Sequence, residues 1–235
     1  MAGNAPFFAV RRRDALRILA GVGGLLVGGR STAQHAPAAA SAGCVLTPAQ
    51  TEGPYFVDEH LNRSDVRADP ATGAVTSGAP LTLELRVAAV AGTQCAPLRG
   101  AIVDIWQCDA LGNYSDVDAA RGARFLRGHQ VTDVDGRVRF TTIYPGAYPG
   151  RAVHIHFKIR TGTAGRAREF TSQLYFDDAL TDRVHAAGAY GGARSRRTRN
   201  ARDGLYAQGG RELTLDVADD GTGYRAAYEI GVSNS

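Results

Sequence analysis

The chain has 235 residues, 44% of them hydrophobic, with 29 glycines and 9 prolines. That composition supplies one packed core, excludes a disordered chain and leans toward a turn-rich β protein. The formal charge of +4 sits in the first 33 residues, where Arg11, Arg12, Arg13, Arg17 and Arg30 meet only Asp14. The neutral remainder gives no reason to expect nucleic acid or an anionic membrane as partner.

Residues 1–33 read as an export signal: "RRRDALRI", the short apolar run "ILAGVGGLLVGG", and a small-x-small cleavage pattern at Ser31-Thr32-Ala33. Arg12-Arg13 followed by Leu16 resembles a twin-arginine signal, so a periplasmic or extracellular location is expected, with no membrane contact once the signal is removed. Residues 34–43, rich in Ala, Pro and Ser, read as a flexible linker. The folded domain is expected over 44–235. In an oxidising compartment two of Cys44, Cys95 and Cys108 should pair, leaving one over; the spacing does not say which.

From there short apolar runs alternate with turn signals, as in an all-β sandwich of seven or eight strands with long loops. Strands are expected in "LTLELRVAAV" (81–90) and "AIVDIWQ" (101–107), then on both sides of Asp135-Gly136, a hairpin turn in "VTDVDGRVRFTTI". "VHIHFKI", "FTSQLYF", "ELTLDV" and "YRAAYEIGV" complete the set. The one helical candidate lies around 178–187. The basic run "RSRRTRN" (194–200) reads as a solvated surface loop.

The chemistry concentrates in "YPGRAVHIHFKI". On a strand, His154 and His156 project from the same face while Ile155 and Phe157 turn to the other. Two adjacent imidazoles can be half of a metal site; alone, they more often form a surface pair or an unrelated zinc site. Tyr148 sits between Pro145-Gly146 and Pro149-Gly150, Tyr114 in the glycine-containing loop "DALGNYSD", and Tyr55 behind the rigid Gly53-Pro54. No C-x-x-C spacing offers sulfur ligands. His60, His129 and His185 match no ligand motif, and Tyr144 reads as packing or pocket wall.

"TEGPYF", "VDIWQCDALGNYSD", "RGHQVTDVDGRVRFTTIYPGAYPGRAVHIHFKI" and "SQLYF", in that order over residues 51–176, resemble the intradiol ring-cleavage dioxygenases. The resemblance implies a transthyretin-like β-sandwich holding one non-haem ferric ion per chain. Tyr114 and His156 would be equatorial ligands, and Tyr148 and His154 axial ones. It gives Tyr148 a second role, accepting a substrate proton. Arg151 would steady charge developing on the substrate, Gln173 would stand beside the site, and Tyr55 would line the substrate pocket. The implied partners are a catecholic aromatic and O2, with a homo-oligomer left open. Both oxygen atoms would enter the ring, which opens between its hydroxylated carbons to a cis,cis-muconate-type diacid. The alternative is a sandwich that binds catechols or ferric catecholates without turning them over. Hard, anionic phenolates with imidazole and no thiolate suit ferric iron better than zinc, in a Lewis-acidic role. Relatives acting on protocatechuate often carry tryptophan where this chain has Gly150, which suggests a wider pocket mouth and a larger or substituted catechol.

Overall fold

The computed structural model describes residues 45–162, 168–191 and 197–233. The stretches expected to be an export signal (1–33) and a linker (34–43), together with Cys44, lie outside the described residues. Nine strands and one α-helix are described. They are β1 (Pro80–Ala91), β2 (Gln94–Pro97), β3 (Ile102–Trp106), β4 (Arg127–Val131), β5 (Arg137–Ile143), β6 (His154–Thr161), β7 (Arg168–Tyr175), α1 (Asp178–Val184), β8 (Val217–Asp219) and β9 (Tyr224–Ser233).

The strands form two sheets. In the first, β1 pairs in parallel with β9, and its other edge is shared end to end by β5 and β2; β8 closes the far side of β9. The second is antiparallel, in the order β4-β3-β6-β7. Leu81, Leu83, Leu85 and Val87 alternate along β1 and are buried, as the pleat requires. They share one core with Phe140 and Ile230 of their own sheet and with Val103, Ile105, Ile155, Phe157, Ile159 and Leu174 of the other. One core between two sheets makes this a β-sandwich. Each fully buried Leu, Ile or Phe stabilises it by about 1.5–3 kcal/mol relative to exposure.

Strand β6 is buried on both faces. Its inner residues enter the core, while His154, His156 and Lys158 occupy the outer face beneath the segment leading from Gln50 to Asp58. That segment is tied down by several contacts. Gln173 Nε2 donates to the Thr51 carbonyl at 2.9 Å, and Lys158 pairs with Glu52. Lys158 also lies 3.8 Å from the Phe56 ring centroid, and Arg160 pairs with Asp58 at 2.6 Å.

Three expectations change. Asp135-Gly136 is a turn, but the strands it joins do not pair with each other: β4 joins β3 in one sheet and β5 joins β1 in the other. The Asp133 carboxylate accepts from Asp135 N and Arg137 N, and Gly136 O accepts from Val87 N, so the turn feeds β5 toward β1. In "ELTLDV", Glu212 and Leu213 are turn, Thr214 makes a single bridge to Tyr175, and only Val217 belongs to β8. The end of "RSRRTRN" is not simply solvated. The Arg197 side chain is only 4% exposed and bonds to Asp178 and Asp182, so the guanidinium ties this loop to α1.

Candidate metal centre

Strand pairing sets the first two donors. His156 lies opposite Trp106 on β3 and Gln173 on β7, so all three side chains share one face. The Trp106 ring stacks on the His156 imidazole, with centroids 4.8 Å apart and planes 6° from parallel. This fixes the imidazole plane and keeps water from it. His154 Nδ1 lies 2.6 Å from the Ala152 carbonyl oxygen. A carbonyl only accepts, so Nδ1 carries the proton and Nε2 presents a lone pair.

Loops supply the two phenols. After β3, Asp109 folds the chain back: its carboxylate accepts from Leu111 N at 2.9 Å and from Asn113 N at 2.8 Å. Gly112, at φ +92°, packs against the strand-linking loop so tightly that a Cβ there would run into the Ala147 carbonyl oxygen. The loops bearing Tyr114 and Tyr148 are thus held against each other. Tyr148 Oη lies 3.2 Å from His154 Nε2, which lies 3.0 Å from His156 Nε2. The Tyr114 and Tyr148 rings meet edge to face with centroids 5.6 Å apart. Tyr55 stacks on Tyr114 at 4.4 Å.

The structure therefore brings Tyr114, Tyr148, His154 and His156 to one place, with Tyr55 against them. Tyr114 Oη and His156 Nδ1 are buried without a hydrogen-bond partner. Tyr114 interacts electrostatically with Tyr148 but completes no bond of ordinary geometry with it. His156 is short of a partner in either tautomer. A proton on Nε2 satisfies His154 but leaves Nδ1 empty; a proton on Nδ1 sets two lone pairs face to face. With the proton on His156 Nδ1, the two facing Nε2 lone pairs and the unpartnered Tyr114 Oη fit a cation among them. Among the described residues no three His, Cys, Asp or Glu side chains cluster as ligands, so any metal here depends on the phenols.

The electrostatics agree. Burial, then the Arg151 charge, pushes His154 down to about 3, and burial, then His154, holds His156 well below its usual value. Both rings are therefore neutral near pH 7. Burial raises Tyr114 well above the ordinary phenol value and pushes Tyr148 up to about 12, against the partly opposing Arg151 charge. Only a strong local cation would make these phenols ionise near neutrality.

Arg151 stands beside this group. Its Nε donates to Asp203 Oδ2 at 3.0 Å, and its Nη2 donates to Gln173 Oε1. Burial opposes the charge, yet Tyr148 and Asp203 raise the guanidinium above its usual value. Gln173, fully buried, links Arg151 to Thr51.

Gly150 is exposed and is not among the residues lining the adjoining cleft. Its φ of +85° accounts for glycine at this turn. Tyr144 and His185 pack away from the centre: Tyr144 Oη bonds Thr181 Oγ1 at 2.7 Å, and His185 Nε2 donates to the Pro145 carbonyl at 2.8 Å. The sequence reading missed Trp106, Arg127 and Asp203. Trp106 was detectable as the residue that strand alternation puts on the same face as Asp104. Nothing local marks Arg127 or Asp203.

A family model described as Dioxygenase matches residues 51–221. The chain belongs to the intradiol ring-cleavage dioxygenases. It is 36% identical over 136 residues to the protocatechuate 3,4-dioxygenase beta chain of Burkholderia cepacia, covering 52% of this chain and 56% of that one. With catechol 1,2-dioxygenase 2 of Acinetobacter lwoffii it shares 30% identity over 155 residues, or 56% and 51% of the two chains. This dioxygenase thus spans about half the length of these curated relatives. Among solved structures, an intradiol ring-cleavage dioxygenase from Tetranychus urticae superposes with a TM-score of 0.69 at 31% identity, covering 81% of this chain and 95% of that one. The dioxygenase domain of a carbohydrate-binding fusion protein from Streptomyces sp. SirexAA-E gives 0.61 at 31% identity, covering 81% and 100%.

Proposed function

We propose that this dioxygenase is a non-haem ferric enzyme of the transthyretin-like branch of β-sandwiches. It inserts both atoms of O2 into a catecholic aromatic and opens the ring between the two hydroxylated carbons, giving a cis,cis-muconate-type diacid. The observation that carries this reading is the convergence of Tyr114, Tyr148, His154 and His156, with the two Nε2 atoms facing each other at 3.0 Å and Tyr114 Oη left unpartnered. These four side chains would hold the ion, which supplies Lewis acidity and a chelation point for both catechol oxygens.

The rest is the work of the chain. Tyr148 Oη, only partly buried and 3.2 Å from His154 Nε2, would hold the ion as a phenolate, and in that ionised form is placed to take a proton from a catechol hydroxyl. The Arg151 guanidinium cannot deprotonate, and Asp203 and Gln173 hold it still, so it presents fixed positive charge to the electron-rich ring. Trp106 and the 51–58 segment exclude water from the imidazoles.

The named relatives are enzymes, which supports turnover over simple capture of catechols. Export is part of the proposal: the arginine-rich start of the chain and the disulfide-bonded Cys95 both suit an oxidising compartment, while Cys108 is a buried free thiol. Among the described residues no helix is long and apolar enough to cross a membrane. Oxygen uptake on adding catechol to the purified protein tests the reading. Stoichiometric consumption with appearance of a ring-opened diacid is expected; binding without consumption would leave only the capture alternative.

A further inference from the structure

The cleft above Tyr114 and Tyr148 has a volume of about 550 Å³, large beside a lone catechol. Part of its wall is apolar, formed by Val117, Ala119, Ala120 and Phe125. Its charged lining residues are both acidic, Asp109 and Asp118; no Lys, Arg or His lines it. Asp109 is engaged in its own turn. Asp118 makes no side-chain hydrogen bond or ion pair among the described residues.

The backbone that presents Asp118 is under strain. Asp116 and Asp118 take φ of +53° and +45°, a left-handed conformation unusual outside glycine. It is held by Gly122 N donating to Asp116 Oδ1 at 2.8 Å and by Asp116 N donating to the Ala120 carbonyl at 3.0 Å. The two guanidiniums nearest the site, Arg127 buried and Arg151 partly buried, are already committed. Arg151 bonds Asp203 and Gln173, and Arg127 bonds the Tyr55 and Ser115 carbonyls. Among the residues that line the cleft, an anionic substituent would meet a carboxylate and no cationic side chain.

We propose that this site takes uncharged, substituted catechols, and that Asp118 on the cleft wall selects against catechols bearing a carboxylate. The inference rests on the proposed dioxygenase function and names the substrate class of the same site. It also departs from what likeness to a protocatechuate enzyme alone would suggest, since protocatechuate carries a carboxylate on the ring.

The test compares 3,4-dihydroxybenzamide with 3,4-dihydroxybenzoate, which match in size and differ in charge. Each is titrated anaerobically into the iron-loaded protein, and each is then assayed for kcat/KM by oxygen uptake. The amide should bind more tightly by about fivefold, the order expected of one like charge on the cleft wall under partial solvent screening. That ratio should shrink toward unity in Asp118→Asn, a residue that tolerates the left-handed backbone, and in Asp118→Gly, which removes the charge without strain. Added salt should shrink it in the wild type. Benzoate binding as tightly as the amide, or a ratio unchanged in both variants, would overturn the inference. Failure to cleave catechol, with the binding order and its response to Asp118 intact, would sink the dioxygenase reading and leave the charge selection standing.

Discussion

Asp203 holds Arg151 from the far side of the site: its Oδ2 accepts from Arg151 Nε at 3.0 Å and from Ala152 N at 2.7 Å. Its other oxygen accepts from Leu205 N at 2.7 Å. Burial would raise this carboxyl's pKa, but the Ala152 amide and the Arg151 charge more than offset it. One buried carboxylate therefore sets both the guanidinium and the start of the strand bearing the two histidines.

Asp203→Ala should cost about 1–3 kcal/mol of stability, because it leaves a partly buried guanidinium without its counter-charge and buried amides without their acceptor. Thermal melting measures that loss. Asp203→Asn, which keeps the shape, should leave iron content intact and lower kcat about tenfold through a misaligned Arg151. Wild-type kcat in Asp203→Asn would remove Arg151's positioning from the account.

Arg127 clamps two loops at once. It donates to the Tyr55 carbonyl at 2.7 Å and to Ser115 Oγ at 2.8 Å, and has no carboxylate within ion-pair distance among the described residues. Arg127→Lys keeps the charge but loses the planar fork, so at least one buried carbonyl goes unpaired. The expected cost is about 1–3 kcal/mol by chemical denaturation, with a raised KM as Tyr55 and Tyr114 loosen.

The neutral histidines predict the acid behaviour of the metal-free protein. His154 has a folded pKa of about 3 against an ordinary 6.5. The unfolded chain therefore binds the additional proton between those values. The stability this group contributes is fully present above pH 6.5 and is lost as pH falls toward 3. Melting temperature should decline through that window and the decline should flatten in His154→Gln. An unchanged slope in the variant would mean that other groups set the acid limit.

Tyr148→Phe separates the two roles given to this phenol. Iron should remain, held by Tyr114, His154 and His156, while turnover falls about a hundredfold for want of a proton acceptor. Unchanged turnover would contradict the proton role.

What could be read from the residues alone depended on sequence distance. His154 and His156 are one residue apart on a strand, and Tyr148 lies in the loop just before them, so strand alternation and turn chemistry put three of the four donors in view. The β1, β3, β6, β7 and β9 runs were legible through their alternation and length. Asp203 lies 52 residues from Arg151 and reaches it only through tertiary folding. The β4–β5 turn failed differently. Asp135-Gly136 specifies a reversal, but the choice of partner strand is made by Val87 and the first sheet, which no local pattern encodes. The buried state of Lys158 was also hidden, because its counter-charges, Glu52 and Glu169, come from separate segments.

The central claim is that four side chains share one ferric ion, and iron content beside the visible spectrum of the purified protein tests it most directly. The account predicts one iron per chain, a red-brown tyrosinate-to-iron absorption in the wild type, and loss of both in folded Tyr114→Phe and His156→Phe. A folded wild-type protein that stays colourless and takes up no iron, or variants that keep the metal and its colour, would contradict it.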